Sequence, residues 1–116
     1  GSVGKLYLAT LNDDELNHYL KQKLPALTKY TITKPIPLRK EIMEARVTGI
    51  AINYKEHREE WCGISAAIKD RAGRTVAYLN VTLPSFNNTR EKVKSLSGVM
   101  TSAADDISTL FNKASF

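Results

Sequence analysis

The residues of this chain that could carry covalent or acid–base chemistry are Ser65 and Cys62 as nucleophiles, with His18 and His57 as proton carriers. A serine or thiol beside a histidine would give an acyl-transfer pair, and His57, next to Glu56 and two residues from Glu59, could hold a proton or a metal. The spacing speaks against both. No nucleophile-elbow glycine pattern and no strand-to-helix turn surround Ser65. His57 falls in a charged connection, Tyr54 to Glu60, that reads as a solvated loop, and His18 falls on the polar side of a surface helix. One cysteine and two histidines are too few soft ligands for a zinc site of the usual spacing, and a lone thiol closes no intrachain disulfide. The sequence contains no phosphate loop, dinucleotide fingerprint or paired-carboxylate constellation, so neither an enzyme nor a cofactor is expected.

The chemistry that does suit the spacing is neutral hydrogen bonding. In the run Gly63 to Ile68, Ile64, Ala66 and Ile68 alternate with Gly63, Ser65 and Ala67. In Ala77 to Leu83, Ala77, Leu79, Val81 and Leu83 alternate with Tyr78, Asn80 and Thr82. Each run has one aliphatic face, which needs a core. The other face is small, polar and uncharged, fit for solvent or for the wall of a small-molecule cavity. Trp61, at the start of the first run, is suited either to capping that cavity or to packing in the core.

These faces need a hairpin to present them, and Asp70-Arg71-Ala72-Gly73-Arg74 supplies its turn, while Pro84 ends the second strand. Upstream, Lys5 to Leu11 is helix-compatible. Asn12 and Glu15 form a capping box for a helix through Lys23, stopped by Pro25. Thr28 to Thr33 is β-branched and aromatic enough for a short extended piece. A helix from about Pro37 to Val47 is capped by Gly49, and Ile50 to Asn53 follows as a strand. Asn88 with Glu91 opens a last helix of some two dozen residues, with Val93, Leu96, Met100, Ala103, Ile107 and Leu110 as its buried stripe.

At 116 residues this is one domain. Its net charge of +5 raises the question of nucleic acid, but the basic residues are spread along several elements with acids among them. No run approaches the roughly 20 apolar residues of a membrane span and no signal segment is evident, so the cytoplasm is the expected compartment, without a membrane partner.

The order of elements resembles a known family. Gly4-Lys5-Leu6-Tyr7-Leu8-Ala9, Asn12-Asp13-Asp14-Glu15-Leu16, Tyr30-Thr31-Ile32-Thr33, Gly49-Ile50-Ala51-Ile52-Asn53 and Glu56-His57 are similar to the effector-binding domain of IclR-type transcriptional regulators. Ser65-Ala66-Ala67-Ile68-Lys69-Asp70, Asn80-Val81-Thr82-Leu83-Pro84-Ser85 and Ala103-Ala104-Asp105-Asp106-Ile107-Ser108 continue the likeness. The resemblance implies an α+β, GAF-like or PAS-like fold in which helices flank an antiparallel sheet, here lacking the family's earlier strands. It also implies that residues 1–116 form an effector-binding, ligand-sensing domain without the winged helix-turn-helix that binds DNA. The implied pocket takes Ser2, Val3, Asn53, Trp61, Gly63, Ser65, Asn80 and Thr82, and no metal. Asn53 stands where relatives often have Asp, Gly63 where they have Cys, and Leu83 where they have Gly.

The expected function is sensing of a small metabolite, an organic acid, by a homodimeric or homotetrameric regulator that meets DNA only through its other domain. The alternatives are a GAF-like or PAS-like sensor with another output, and a small hydrolase using Ser65 or Cys62.

Overall fold

In the computed structural model, which describes residues 1–114, a three-stranded antiparallel sheet lies between two layers of helix. The strands are β1 (Ile50–Tyr54), β2 (Trp61–Lys69) and β3 (Thr75–Pro84), in the order β1-β2-β3. The helices α1 (Ser2–Leu8), α2 (Asp13–Leu20) and α3 (Pro35–Thr48) precede the sheet, and α4 (Arg90–Lys94) and α5 (Ser97–Lys113) follow it. This is the expected α+β arrangement.

Period-two alternation assigns the two faces of the sheet. Cys62, Ile64, Ala66 and Ile68 of β2 pack with Val93, Met100 and Ala104 of α4 and α5. Ala51 of β1 packs on the other face with Leu6 of α1 and Ala45 of α3, beside Ala67 and Tyr78. A third cluster, Leu8, Leu16, Leu20, Leu38 and Ile42, joins α1, α2 and α3 to one another. Strand β2 is therefore buried from Cys62 through Ala66 without regard to face, as a central strand covered on both sides must be.

The start of α2 and the end of α3 act as read, although α2 stops at Leu20, short of the Lys23 expected from Pro25. Asn12 Oδ1 accepts from Glu15 N at 2.8 Å, and Glu15 Oε1 accepts from Asn12 N at 3.3 Å, which completes the capping box. Gly49 ends α3 at φ 72°, a left-handed conformation that favours glycine.

Further expectations fail, beginning with the first helix, which spans Ser2–Leu8 rather than Lys5 to Leu11. Thr28 to Thr33 is a turn, because its threonines bond elsewhere: Thr31 Oγ1 accepts from Thr28 N at 2.9 Å and donates to Glu56 O at 2.6 Å, and Thr28 Oγ1 donates to Lys55 O at 2.6 Å. The C-terminal helix is two helices. Thr89 caps the first by accepting from Lys92 N at 3.2 Å, while the Asn88 amide donates back to Pro84 O at 2.7 Å. Its buried stripe is Val93, Met100 and Ala104, leaving Ile107 and Leu110 36 % and 65 % exposed.

The hairpin turn yields a first prediction. Asp70 Oδ1 accepts from Ala72 N at 2.9 Å and Arg74 N at 3.0 Å, and Asp70 Oδ2 meets Arg74 Nε at 2.9 Å. The hydrogen bond from the Arg74 backbone, foremost, holds this carboxyl below its usual range. Because the folded value is the lower one, the turn's stabilisation is complete above the ordinary aspartate value of about 3.9 and is lost as pH falls below it. In Asp70→Ala, the protection of the Ala72 and Arg74 amides against exchange, relative to their intrinsic rates, is expected to fall at neutral pH to the level the unmodified chain shows in acid. Exchange unaltered at both residues would contradict this.

Candidate functional site: the α1-covered face of the sheet

The candidate residues converge on one face. In register, Asn53 lies beside Gly63, Gly63 beside Thr82, and Ser65 beside Asn80, all on the side that carries α1. Helix α1 brings Ser2 onto them. Ser2 Oγ and Ser65 Oγ are 2.7 Å apart, Ser65 Oγ donates to Asn80 Oδ1 at 2.7 Å, Ser2 Oγ donates to the same oxygen at 3.4 Å, and Asn80 Nδ2 donates to Thr82 Oγ1 at 3.0 Å. The result is an uncharged row of hydroxyl and amide groups crossing from α1 over β2 to β3. Its inner end, Ser2 and Ser65, is buried, and its outer end, Asn80 and Thr82, is exposed.

The other candidates frame this row. Val3 is half-buried in the first turn of α1. Asn53 Oδ1 accepts from Glu56 N at 2.9 Å, and a Cβ on Gly1 would stand 3.7 Å from Asn53 Nδ2. Gly63 is fixed by space, since a Cβ there would meet Val81 O at 2.7 Å. Trp61 starts β2 at 46 % exposure, so it is not the core tryptophan that was its other reading.

A hydrolytic site does not assemble. The Ser65 hydroxyl is committed to Ser2 and Asn80. Cys62 lies in the cluster on the opposite face, where its Sγ donates to Leu83 O at 3.6 Å and burial pushes the thiol up, away from the thiolate a nucleophile needs. Among the described residues no group of three or more His, Cys, Asp or Glu could hold a metal ion.

One ionic centre was not read from the sequence. Lys5 Nζ, on a residue only 4 % exposed, donates to Ile52 O at 2.7 Å and Glu56 Oε2 at 2.9 Å. Glu41 Oε2 sits 2.8 Å from it as an ion contact whose geometry makes no hydrogen bond. Glu56 is therefore buried at 6 % exposure, whereas the charged connection was expected to be solvated throughout; His57 alone of that pair faces out. The signal was present in Gly4-Lys5 and Glu56-His57, but their partnership spans 51 residues.

Comparison with known proteins then decides the affiliation. The family model for the bacterial transcriptional regulator IclR C-terminal domain matches residues 1–109. The chain belongs to the IclR C-terminal family. It is 33 % identical over 91 residues to the Pca operon regulatory protein of Acinetobacter baylyi, covering 78 % of this chain and 33 % of that protein. In structure it is similar to the Agobacterium tumefaciens repressor BlcR, with TM-score 0.81 and 27 % identity over 94 % of this chain and 44 % of that one. It shares the fold of the inducer-binding domain of an Acinetobacter PobR double mutant solved with 3-hydroxybenzoic acid. That match has TM-score 0.80 at 20 % identity and covers 92 % of this chain and 62 % of that one. The chain thus spans a third of the curated relative it matches and less than half of the BlcR chain. The family and these relatives are transcriptional regulators, not enzymes.

Proposed function

We propose that residues 1–116 are one effector-binding unit of a cytoplasmic IclR-type regulator, that the unit binds a small organic acid on the α1-covered face, and that it passes the event to an attached winged-helix domain that binds DNA. The observation that carries this reading is the uncharged row Ser2–Ser65–Asn80–Thr82. Neutral hydroxyl and amide donors hold a carboxylate without a fixed counter-charge, and each such bond contributes about 1.5–3 kcal/mol. Two or three of them, with apolar contact from Trp61, approach the roughly 8 kcal/mol of micromolar binding. The PobR domain of the same fold was solved with an acid of this class.

A thermal-shift screen against small carboxylic acids finds the ligand, and calorimetry on Asn80→Leu and Ser65→Val tests the site. Each variant is expected to weaken the acid by at least about tenfold, Asn80→Leu because it removes a polar partner and fills space on the ligand's side, and Ser65→Val because it removes the buried hydroxyl that holds Asn80 in place. Trp61 fluorescence should report binding in the unmodified chain. Affinity unchanged in both variants, with a tryptophan signal blind to the ligand, would remove the assignment.

A further inference from the structure

A groove of about 570 Å³ runs along the outer edge of β1, between α3 on one side and α4 and α5 on the other, and its size is that of a small-molecule site. It shares no residue with the row Ser2–Ser65–Asn80–Thr82. Its floor is the aliphatic edge of the sheet at Ile50, Ala51 and Ile52, where side chains already take outward backbone groups. Thr48 Oγ1 accepts from Ile50 N at 3.1 Å and donates to Ile50 O at 3.2 Å, and Lys5 Nζ donates to Ile52 O at 2.7 Å. Those bonds block a peptide strand from pairing here, and the groove is left to a small molecule.

The walls of the groove carry opposite charge. Glu41 and Glu44, three positions apart, share a face of α3, and Arg90 and Lys94, four apart, share a face of α4. No ion pair joins the two walls, and Glu44, Arg90 and Lys94 form none with any described residue. The like charges on each helix are therefore only partly opposed. Hydrogen bonding is unfinished as well, since Glu41 Oε2, buried and 2.8 Å from Lys5 Nζ, makes no hydrogen bond, while that lysine donates to Ile52 O and Glu56 Oε2. On the opposite wall the Arg90 guanidinium rests 5.3 Å from the centre of the Tyr54 ring, which holds it in place, and none of its N–H donors is taken by a described residue.

We propose that this groove binds an amino acid, its ammonium group at Glu41 and Glu44 and its carboxylate against Arg90 and Lys94. An ammonium group brings three donors to the wall that lacks them, and a carboxylate accepts two parallel bonds from a guanidinium. The aliphatic body lies along Ile50 and Ile52. A simple acid or a simple amine answers one wall and leaves the like charges of the other unopposed, so the groove discriminates for the zwitterion against either half of it. An α-amino acid and an ω-amino acid share this chemistry and differ in the separation of their charged ends.

The test is NMR titration of the 116-residue chain with leucine and 6-aminohexanoate, beside hexanoate and hexylamine as single-charge analogues. Affinity is read at the amides of Ile52, Gly98 and Thr101, which line the groove, so that an acid held on the α1-covered face is not counted. At least one zwitterion is expected to bind there about tenfold or more tightly than both analogues, leucine where the charged ends must be close and 6-aminohexanoate where they must be apart. Glu44→Gln and Arg90→Gln, both at exposed positions, should each weaken that zwitterion by about tenfold, and Arg71→Gln, exposed in the hairpin turn, should leave it unchanged. No shift at the groove amides with either zwitterion at about 10 mM, an affinity there matched by hexanoate or hexylamine, or binding that survives both Glu44→Gln and Arg90→Gln would overturn the proposal. Shifts confined to Asn80 and Thr82 would overturn it too, while leaving the effector assignment standing.

Discussion

Lys5→Met is expected to destabilise the protein by about 3–5 kcal/mol, the range for removing one partner of a buried ion pair. The reason is what the substitution leaves behind. Glu56, 6 % exposed, would lose its lysine partner and retain the Tyr54 amide at 3.3 Å on the oxygen that Lys5 held, and Ile52 O would lose its donor. Methionine fills the volume of the lysine stem, so the loss isolates the charge rather than a cavity. For a chain of this size the expected fall in melting temperature is on the order of 10–20 °C. Glu56→Gln added to Lys5→Met should recover part of this loss, since the second change removes the orphaned charge. Thermal and urea unfolding of the two single variants and the double variant check it. A loss under about 1 kcal/mol in Lys5→Met would mean that water reaches Glu56.

Ile64→Ala should cost about 2–5 kcal/mol, whereas Leu110→Ala should stay within about 0.5 kcal/mol. Both residues read as buried by periodicity. Ile64, fully buried, sits in the middle of the central strand between Val81 and Ile52, under the α5 layer, where neighbours on every side prevent collapse into the vacated space. Leu110 is 65 % exposed. Urea denaturation of the two variants separates them, and equal losses would show that α5 is rotated about its axis from the placement described.

Together these effects explain how the candidate face is made. Helix α1 is only seven residues long and would not hold its shape in isolation. It is pinned by Lys5 at the edge of β1, by Leu6 against Ala45 and Ala51, and by Ser2 against Ser65. The ionic centre and the neutral row therefore depend on the same docking.

Much of this arrangement was determined locally and was legible in the chain. The alternation of Ile64, Ala66 and Ile68 with Gly63, Ser65 and Ala67 assigns faces because a strand turns its side chains over every residue. The Asn12–Glu15 box and Gly49 act within one helical turn, so their sequence is their structure. The tertiary structure alone decided which face would be covered and by what. Ser65 is buried because Ser2 arrives from 63 positions away, and Glu56 leaves the solvated loop because Lys5 meets it across 51. Thr28 to Thr33 had strand-forming residues but found acceptors on Lys55 and Glu56, and a hydroxyl bound elsewhere outweighs a weak β preference. Periodicity fixed that α5 has an apolar stripe; the short α4 and the break at Ser95 and Leu96 set the rotation that buries Met100 and Ala104 and leaves Leu110 in solvent.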